Sequence, residues 1–265
     1  MFVEFSLQDA AAHIEANLQD FSLSFSRLPG ARSYRGPDVK WVYTGAPRLN
    51  RVLGARFSDD EADRCIDEIL GRYAAWSTPA SWFVGPQSRP ADLGRRLLAR
   101  GLAHRGDWVG MAADLTRAKI EASPPPTTEI VEVSAGKEAR LWARTVGQGF
   151  GMAAGSAQAF EDVVGRLGAE AGESWRRYLL RSDGVPVATS SLFLCDGVAG
   201  LYYIATVPAA RRQGLASAAT VRALADAQAL GYRVAILQAT VAGAAVYRRL
   251  GFEEYCTVAI YEFRL

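Results

Sequence analysis

The chain has 265 residues, 49% of them hydrophobic and 22% charged, with a formal net charge of +2. That composition fills a sizeable core and excludes disordered, collagen-like and coiled-coil architectures. No apolar run approaches the roughly 18 residues that span a bilayer, and Met1-Phe2-Val3-Glu4-Phe5 has no basic start, so a cytoplasmic protein without a membrane partner is expected. Lysine occurs only at 40, 119 and 137, read mainly as coding bias, and the lack of a basic tract argues against a nucleic-acid partner. Cys65, Cys195 and Cys256 form no CxxC pair and are expected to be reduced, mostly buried thiols. His13 and His104 stand in neither an H-x-x-x-H nor a G-x-S-x-G context, so no metal site and no serine-hydrolase triad is expected.

In chain order, 58–76 reads as a helix, 82–85 as a short strand and 91–100 as a second helix stopped by Gly101. A strand pair then runs to Leu115. The segment Lys119–Thr128 carries three consecutive prolines, which fit neither a central strand nor a helix interior, and is read as a connector. It separates a first domain, 1–118, from a second, 129–265. In the second, 129–133 reads as a strand, 135–148 as a helix, 147–155 as a glycine-rich turn and 157–167 as another helix. Strands at 175–181 and 187–194 flank Ser182-Asp183-Gly184, a hairpin signal, and a third strand, 199–207, follows Asp196-Gly197. A long Ala/Leu-rich helix ends at Gly231, a strand covers 234–238, and a helix over 242–250 is closed by Gly251. Strands at 252–255 and 258–263 complete the chain. The expected fold is α/β, a mixed sheet with helices on both faces. Leu97-Leu-Ala-Arg-Gly-Leu102 and Tyr247-Arg-Arg-Leu-Gly-Phe252 share one layout, helix end, glycine stop and apolar re-entry, which points to a degenerate internal repeat.

The segment most informative about chemistry is Thr206-Val-Pro-Ala-Ala-Arg-Arg-Gln-Gly-Leu-Ala-Ser217. A strand ends, a short loop turns and a helix begins near Gly214. The first turn of a helix has unpaired N–H groups and a partial positive charge, and Gly214 and Ala216 allow a ligand close to the backbone. Arg211 and Arg212 add charge, so the segment is suited to a pyrophosphate. An ordinary loop with a solvated arginine pair is the alternative.

Val207-Pro208 followed by Arg211-Arg-Gln-Gly-Leu-Ala216 resembles the GNAT superfamily of acyl-CoA-dependent N-acyltransferases, whose first hallmark is [R/Q]-x-x-G-x-[G/A]. Tyr247-Arg-Arg-Leu-Gly-Phe252 resembles its second, Y-x-x-x-G-F. The resemblance covers about 128–265 and extends to tandem members with a degenerate N-terminal half. It implies two GNAT-like domains and acetyl-CoA or another acyl-CoA as co-substrate. It further implies that Ala205, Thr206 and Val207 pair with the pantetheine arm through their backbone. Amides of Arg212, Gln213, Gly214, Leu215, Ala216 and Ser217 would hold the pyrophosphate, with Arg211 lending charge. Thr240 stands at the mouth of a gap between strands, where many members have asparagine. A backbone N–H near Val207 would stabilise the oxyanion, and Tyr247 would protonate the departing thiolate.

The strand 198–206 carries no carboxylate base. Tyr202, Tyr203, Asp196 or a backbone carbonyl with water remain alternatives. The helices between 135 and 167 are expected to cover the acceptor, with Gly147-Gln-Gly-Phe-Gly151 either a hinge or a cap, and Glu161 and Asp162 either a cation lure or a solvated face. In the first half, Arg51-Val-Leu-Gly54 has the opening spacing of a cradle, but Arg56 fills the small-residue slot. Acidic Ser58-Asp-Asp-Glu61 then repels phosphate, so that half should brace the other and wall the acceptor cleft. The resulting expectation is a small-molecule N-acyltransferase acting on a primary amine, as a monomer or homodimer. The alternatives are a non-catalytic acyl-CoA-binding regulator and an aminoacyl-tRNA-dependent aminoacyl transferase.

Overall fold

The computed structural model describes residues 9–117, 121–122, 124–165 and 174–264. Among these, α1 is Ala10–Ser24, β1 Arg32–Arg35, β2 Lys40–Tyr43, β3 Arg51–Leu53, α2 Asp59–Ala75, β4 Ala80–Val84, α3 Leu93–Ala99 and β5 Ala103–Asp114. After the proline segment come β6 (Thr128–Glu132), α4 (Gly136–Gly149), α5 (Ala154–Val164), β7 (Trp175–Ser182), β8 (Val185–Cys195) and β9 (Val198–Thr206). The chain closes with α6 (Leu215–Ala229), β10 (Val234–Thr240), α7 (Val241–Arg248) and β11 (Glu253–Phe263). Part of the predicted connector and the end of the helix predicted over 157–167 lie outside the described residues. No described helix is long and apolar enough to cross a membrane.

All eleven described strands form one mixed sheet in the order β1-β2-β3-β4-β11-β5-β10-β9-β8-β7-β6. The hairpins at Asp183-Gly184 and Asp196-Gly197 form as expected, each with both residues at positive φ, the geometry that two-residue turns between twisted strands require. Two predictions fail in the same way. The strand pair expected up to Leu115 is the single strand β5, and the two closing strands are the single strand β11 with a register shift at Glu254/Cys256. Each is long because it pairs along both edges: β5 lies between β11 and β10, and β11 between β4 and β5. The strand that ends each half in sequence is thus seated in the sheet of the other half.

The internal repeat has a physical counterpart. β3 and β4 pair in parallel around α2, as β9 and β10 do around α6. The stops also match. Leu102 N–H bonds Leu97 O at 3.2 Å and Phe252 N–H bonds Tyr247 O at 3.1 Å, with Gly101 and Gly251 at positive φ. This is a glycine helix stop with apolar re-entry.

The sheet separates two packed layers. On one face α1, α4 and α5 cover Phe83, Tyr202, Ile236 and Ile260. On the other, α6 and α7 cover Leu201, Ala235, Leu237 and Ala239, while α2 and α3 cover Val52 and Trp82. Helix α1 and strands β1–β3 were not predicted. The α1 stripe Ile14, Leu18, Phe21 is buried against β9. Its Asn17 donates to Val198 O at 3.3 Å and accepts from the Tyr202 hydroxyl at 2.8 Å. Gly200 lets Asn17 approach, since a Cβ there would strike the Asn17 Oδ1. Gly200→Val is therefore expected to cost about 1–3 kcal/mol, read as a lower urea midpoint; an unchanged midpoint would contradict this seating of α1.

Candidate active site

Strands β9 and β10 pair in parallel only from Val198↔Val234 to Leu201↔Leu237, although β9 runs on to Thr206 and β10 to Thr240. Beyond Leu201 they diverge. The cause lies in β9, where Tyr203 has φ +51° and the pairing with β8 slips between Thr189↔Ala205 and Ser191↔Tyr202. This is a β-bulge, which bends its strand and shifts the facing of the side chains. Thr189 and Ser191 hydroxyls donate to the Tyr203 and Tyr202 carbonyls at 2.8 and 3.0 Å and fix the distortion. As a result, consecutive Tyr202 and Tyr203 both pack on the α1 face, whereas Leu201 and Ile204 pack on the α6 face.

A cavity of about 880 Å³ follows the divergence and is lined from both faces of the sheet. Ala205, Thr206, Arg211, Arg212, Gly214, Leu215, Ala216, Ser217, Thr240 and Tyr247 all line it, so most of the sequence-predicted site is brought together there. Val207 and Gln213 are not among the lining residues; Val207 borders a second, smaller cavity. Gly214 caps α6 at φ +77°, and the first bond within the helix runs from Ala218 N–H to Gly214 O. The amides of Leu215, Ala216 and Ser217 therefore have no intrahelical acceptor, as at any helix start, and their residues all border the cavity.

Three predicted roles take a different form. The Val207 N–H donates to Val187 O at 2.9 Å and is not available as an oxyanion donor. Alternation along the strand gives that edge to Thr206 instead, whose buried hydroxyl also has no hydrogen-bond partner. Arg211 donates to Gly149 O at 2.9 Å and to Thr206 O at 3.3 Å, tying the end of α4 to the end of β9. The Thr240 hydroxyl caps α7 by accepting from Gly243 N–H at 3.1 Å. Tyr247, on α7, packs edge-on against Phe252, and burial pushes its phenol well above the ordinary value.

The α1 side of the cavity was only partly foreseen. Met152 and Phe160 come from the predicted cover, but Leu18, Phe21, Arg51, Phe83, Trp108 and Ile260 come from α1 and the strands around the first half. Of the cover's glycines, Gly151 caps the end of α4 at φ +61°, while Gly147 and Gly149 are contact points. A Cβ on Gly147 would sit 3.3 Å from that of Ala157 and one on Gly149 only 2.7 Å from that of Ala205, so α4 packs directly on α5 and β9. Glu161 is not on a solvated face: it is buried and holds Arg144 with two bonds of 2.9 and 3.1 Å. Asp162 stays at the surface, bonded to Gln158.

Among the described residues, Glu262 is the only carboxylate lining the main cavity. Burial opposes its ionisation, but bonds from Arg264 and Arg105 outweigh burial and hold it below the ordinary carboxylate range, which makes it a weak base. Tyr202 and Tyr203 are raised by burial, with Arg51 acting in the opposite sense. The three cysteines are free and half-buried, and burial pushes the Cys195 thiol up to about 12 and that of Cys256 to about 11, so neither is nucleophilic at neutral pH.

The start of α6, the diverging strands and the tyrosine on α7 all border one cavity, which is lined from both faces of the sheet. The family model for the acetyltransferase (GNAT) domain matches residues 116–249, and the chain belongs to this family of N-acyltransferases, which use acetyl-CoA as co-substrate. In fold, the chain is similar to a GCN5-related N-acetyltransferase from Kribbella flavida, with 22% identity, 96% of this chain and 95% of that one covered, and a TM-score of 0.70. A tandem GNAT protein from the clavulanic acid biosynthesis pathway is 16% identical, with 99% and 98% covered and a TM-score of 0.59. A GCN5-related N-acetyltransferase from Sphaerobacter thermophilus is 17% identical, with 99% and 96% covered and a TM-score of 0.52. No curated protein sequence matches the chain.

Proposed function

We propose that the protein moves an acetyl or other short acyl group from acyl-CoA to a primary amine of a small molecule by direct attack on the thioester. The observation that carries this reading is the parting of β9 and β10 after Leu201↔Leu237, beside a helix start whose three free amides border the same cavity. The amides of Leu215, Ala216 and Ser217 would hold the diphosphate, with Arg212 adding charge. The edge of β9 at Ala205 and Thr206 would take the pantetheine amides as an added strand does. CoA supplies a thioester, an acyl group activated for transfer. The Thr206 N–H is the donor proposed for the oxyanion and the Tyr247 hydroxyl the proton donor to the departing sulfur. A phenol raised by burial stays protonated at neutral pH, which suits a donor.

The acceptor amine must lose its proton without a carboxylate base. The cavity lining has six arginines and one glutamate. Such a surplus of positive charge lowers the pKa of an ammonium group brought into it and favours release of the proton to solvent. The first half, in this reading, walls the acceptor side through Arg51, Phe83 and Trp108. Thiol release from acetyl-CoA with a panel of primary amines tests the proposal. Amine-dependent release supports transfer; tight CoA binding without release under any amine would point instead to a non-catalytic acyl-CoA-binding protein.

A further inference from the structure

The residue that most needs explaining on the acceptor side is Arg51. It is 7% exposed and borders the main cavity on the face opposite the phosphate cradle. Its guanidinium lies over the rings of Phe21 and Phe83, at 5.9 and 5.5 Å, and Nη1 donates to the Ser22 hydroxyl at 3.0 Å. No ion pair joins it to any described carboxylate, and its buried Nε has no hydrogen-bond partner. A buried cation is normally paired, since removing a charge from water carries a cost that a partner must offset.

Two further polar groups on the same face of the cavity share this condition. The Tyr203 hydroxyl is buried without a partner, close enough to Arg51 for the cation to favour its phenolate but without hydrogen-bond geometry between them. The Gln238 Nε2, on β10 across the gap, is likewise buried, beside the Tyr202 hydroxyl but without hydrogen-bond geometry to it. Arginine, a tyrosine hydroxyl and an amide N–H, all donors and set among Phe21, Phe83 and Trp108, have one obvious common complement. That complement is a carboxylate, which accepts several hydrogen bonds in a plane and carries the opposite charge.

We propose that the α1 side of the cavity is a carboxylate-binding site in which Arg51 is the principal charge, assisted by Tyr203 and Gln238. This deepens the N-acyltransferase reading and rests on it. The substrate class follows: the acceptor is an amine that also bears a carboxylate, as in an amino acid, with its carboxylate on Arg51 and its amine toward the thioester. The same chemistry has one other source, a terminal carboxylate on the acyl group itself.

The test uses the full-length protein and substrate pairs that differ only at the carboxyl group. CoA binding is measured first by calorimetry; its absence would overturn the acyl-CoA reading and not this one specifically. With CoA bound, amino acids are titrated against their carboxamides, and initial rates are compared with acetyl-CoA as donor. In a second arm, succinyl-CoA is compared with butyryl-CoA using a neutral amine. A preference of about tenfold to a hundredfold for the carboxylate, as expected for a charge-assisted pair, supports the site in either arm, and the arm identifies the source. Arg51→Gln should abolish that preference while CoA still binds. Because the comparison is made on the native protein, loss of folding in the variant would not obscure it. Equal binding and rates for carboxylate and carboxamide, and for both acyl donors, would overturn the proposal.

Discussion

Replacement of Tyr247 by phenylalanine is expected to lower kcat by about 10²- to 10⁴-fold, with CoA affinity essentially unchanged. The ring supports α7 through its contact with Phe252, and phenylalanine keeps that contact. Only the hydroxyl is lost. Burial raises the phenol, so it is a proton donor throughout the neutral range and does not itself produce a basic limb in the pH profile there. The deficit should therefore be nearly constant between about pH 6 and 9, below the ordinary tyrosine pKa of about 10. Steady-state thiol release over that range checks this. A variant with native kcat would remove Tyr247 from the chemistry.

The second large effect is expected at the cradle. Ala216→Glu places a carboxylate in the first turn of α6, where the residue borders the cavity. A negative side chain there is favourable for the helix, by about 0.3–1 kcal/mol, and unfavourable for a bound diphosphate, by several kcal/mol of like-charge repulsion. CoA affinity should fall by about 100-fold or more while the thermal midpoint stays level or rises slightly. The opposed signs separate a binding defect from misfolding. The first half of the chain contains the natural counterpart. Helix α2 opens with Asp59, Asp60 and Glu61, carboxylates that suit the helix start and repel a phosphate, and the Ser58 hydroxyl donates to Glu61 at 2.9 Å. Calorimetry alongside thermal denaturation reads both quantities; undiminished CoA binding in the variant would place the diphosphate elsewhere.

The parts of the site legible in sequence are those encoded locally. Gly214 marks a left-handed cap, Tyr247 and Gly251 mark a helix end, and Asp-Gly pairs mark the hairpins; each is set by neighbours a few residues away. What sequence did not reveal depends on contacts far along the chain. β5 and β11 looked like broken strand pairs because their full length is stabilised by partners on both edges, both of them from the opposite half. Arg51 read as part of a faint cradle spacing, yet it belongs to the edge of β3 and reaches the cavity only because β3, α1 and β9 converge. Helix α1 did leave a signal. Ile14, Leu18, Phe21 and Phe25 recur at four-, three- and four-residue steps, the spacing of one helical face, and all are buried. The bulge at Tyr203 left none, since it is a non-glycine residue held at positive φ by hydroxyls of a neighbouring strand.

A crystal structure with a non-hydrolysable thioether analogue of acetyl-CoA tests the shared premise most directly. The expected result is diphosphate oxygens on the amides of Leu215, Ala216 and Ser217, with the sulfur between β9 and β10 within hydrogen-bond reach of the Tyr247 hydroxyl. Density for the analogue on any other surface, with the space between the two strands filled by protein side chains, would contradict it.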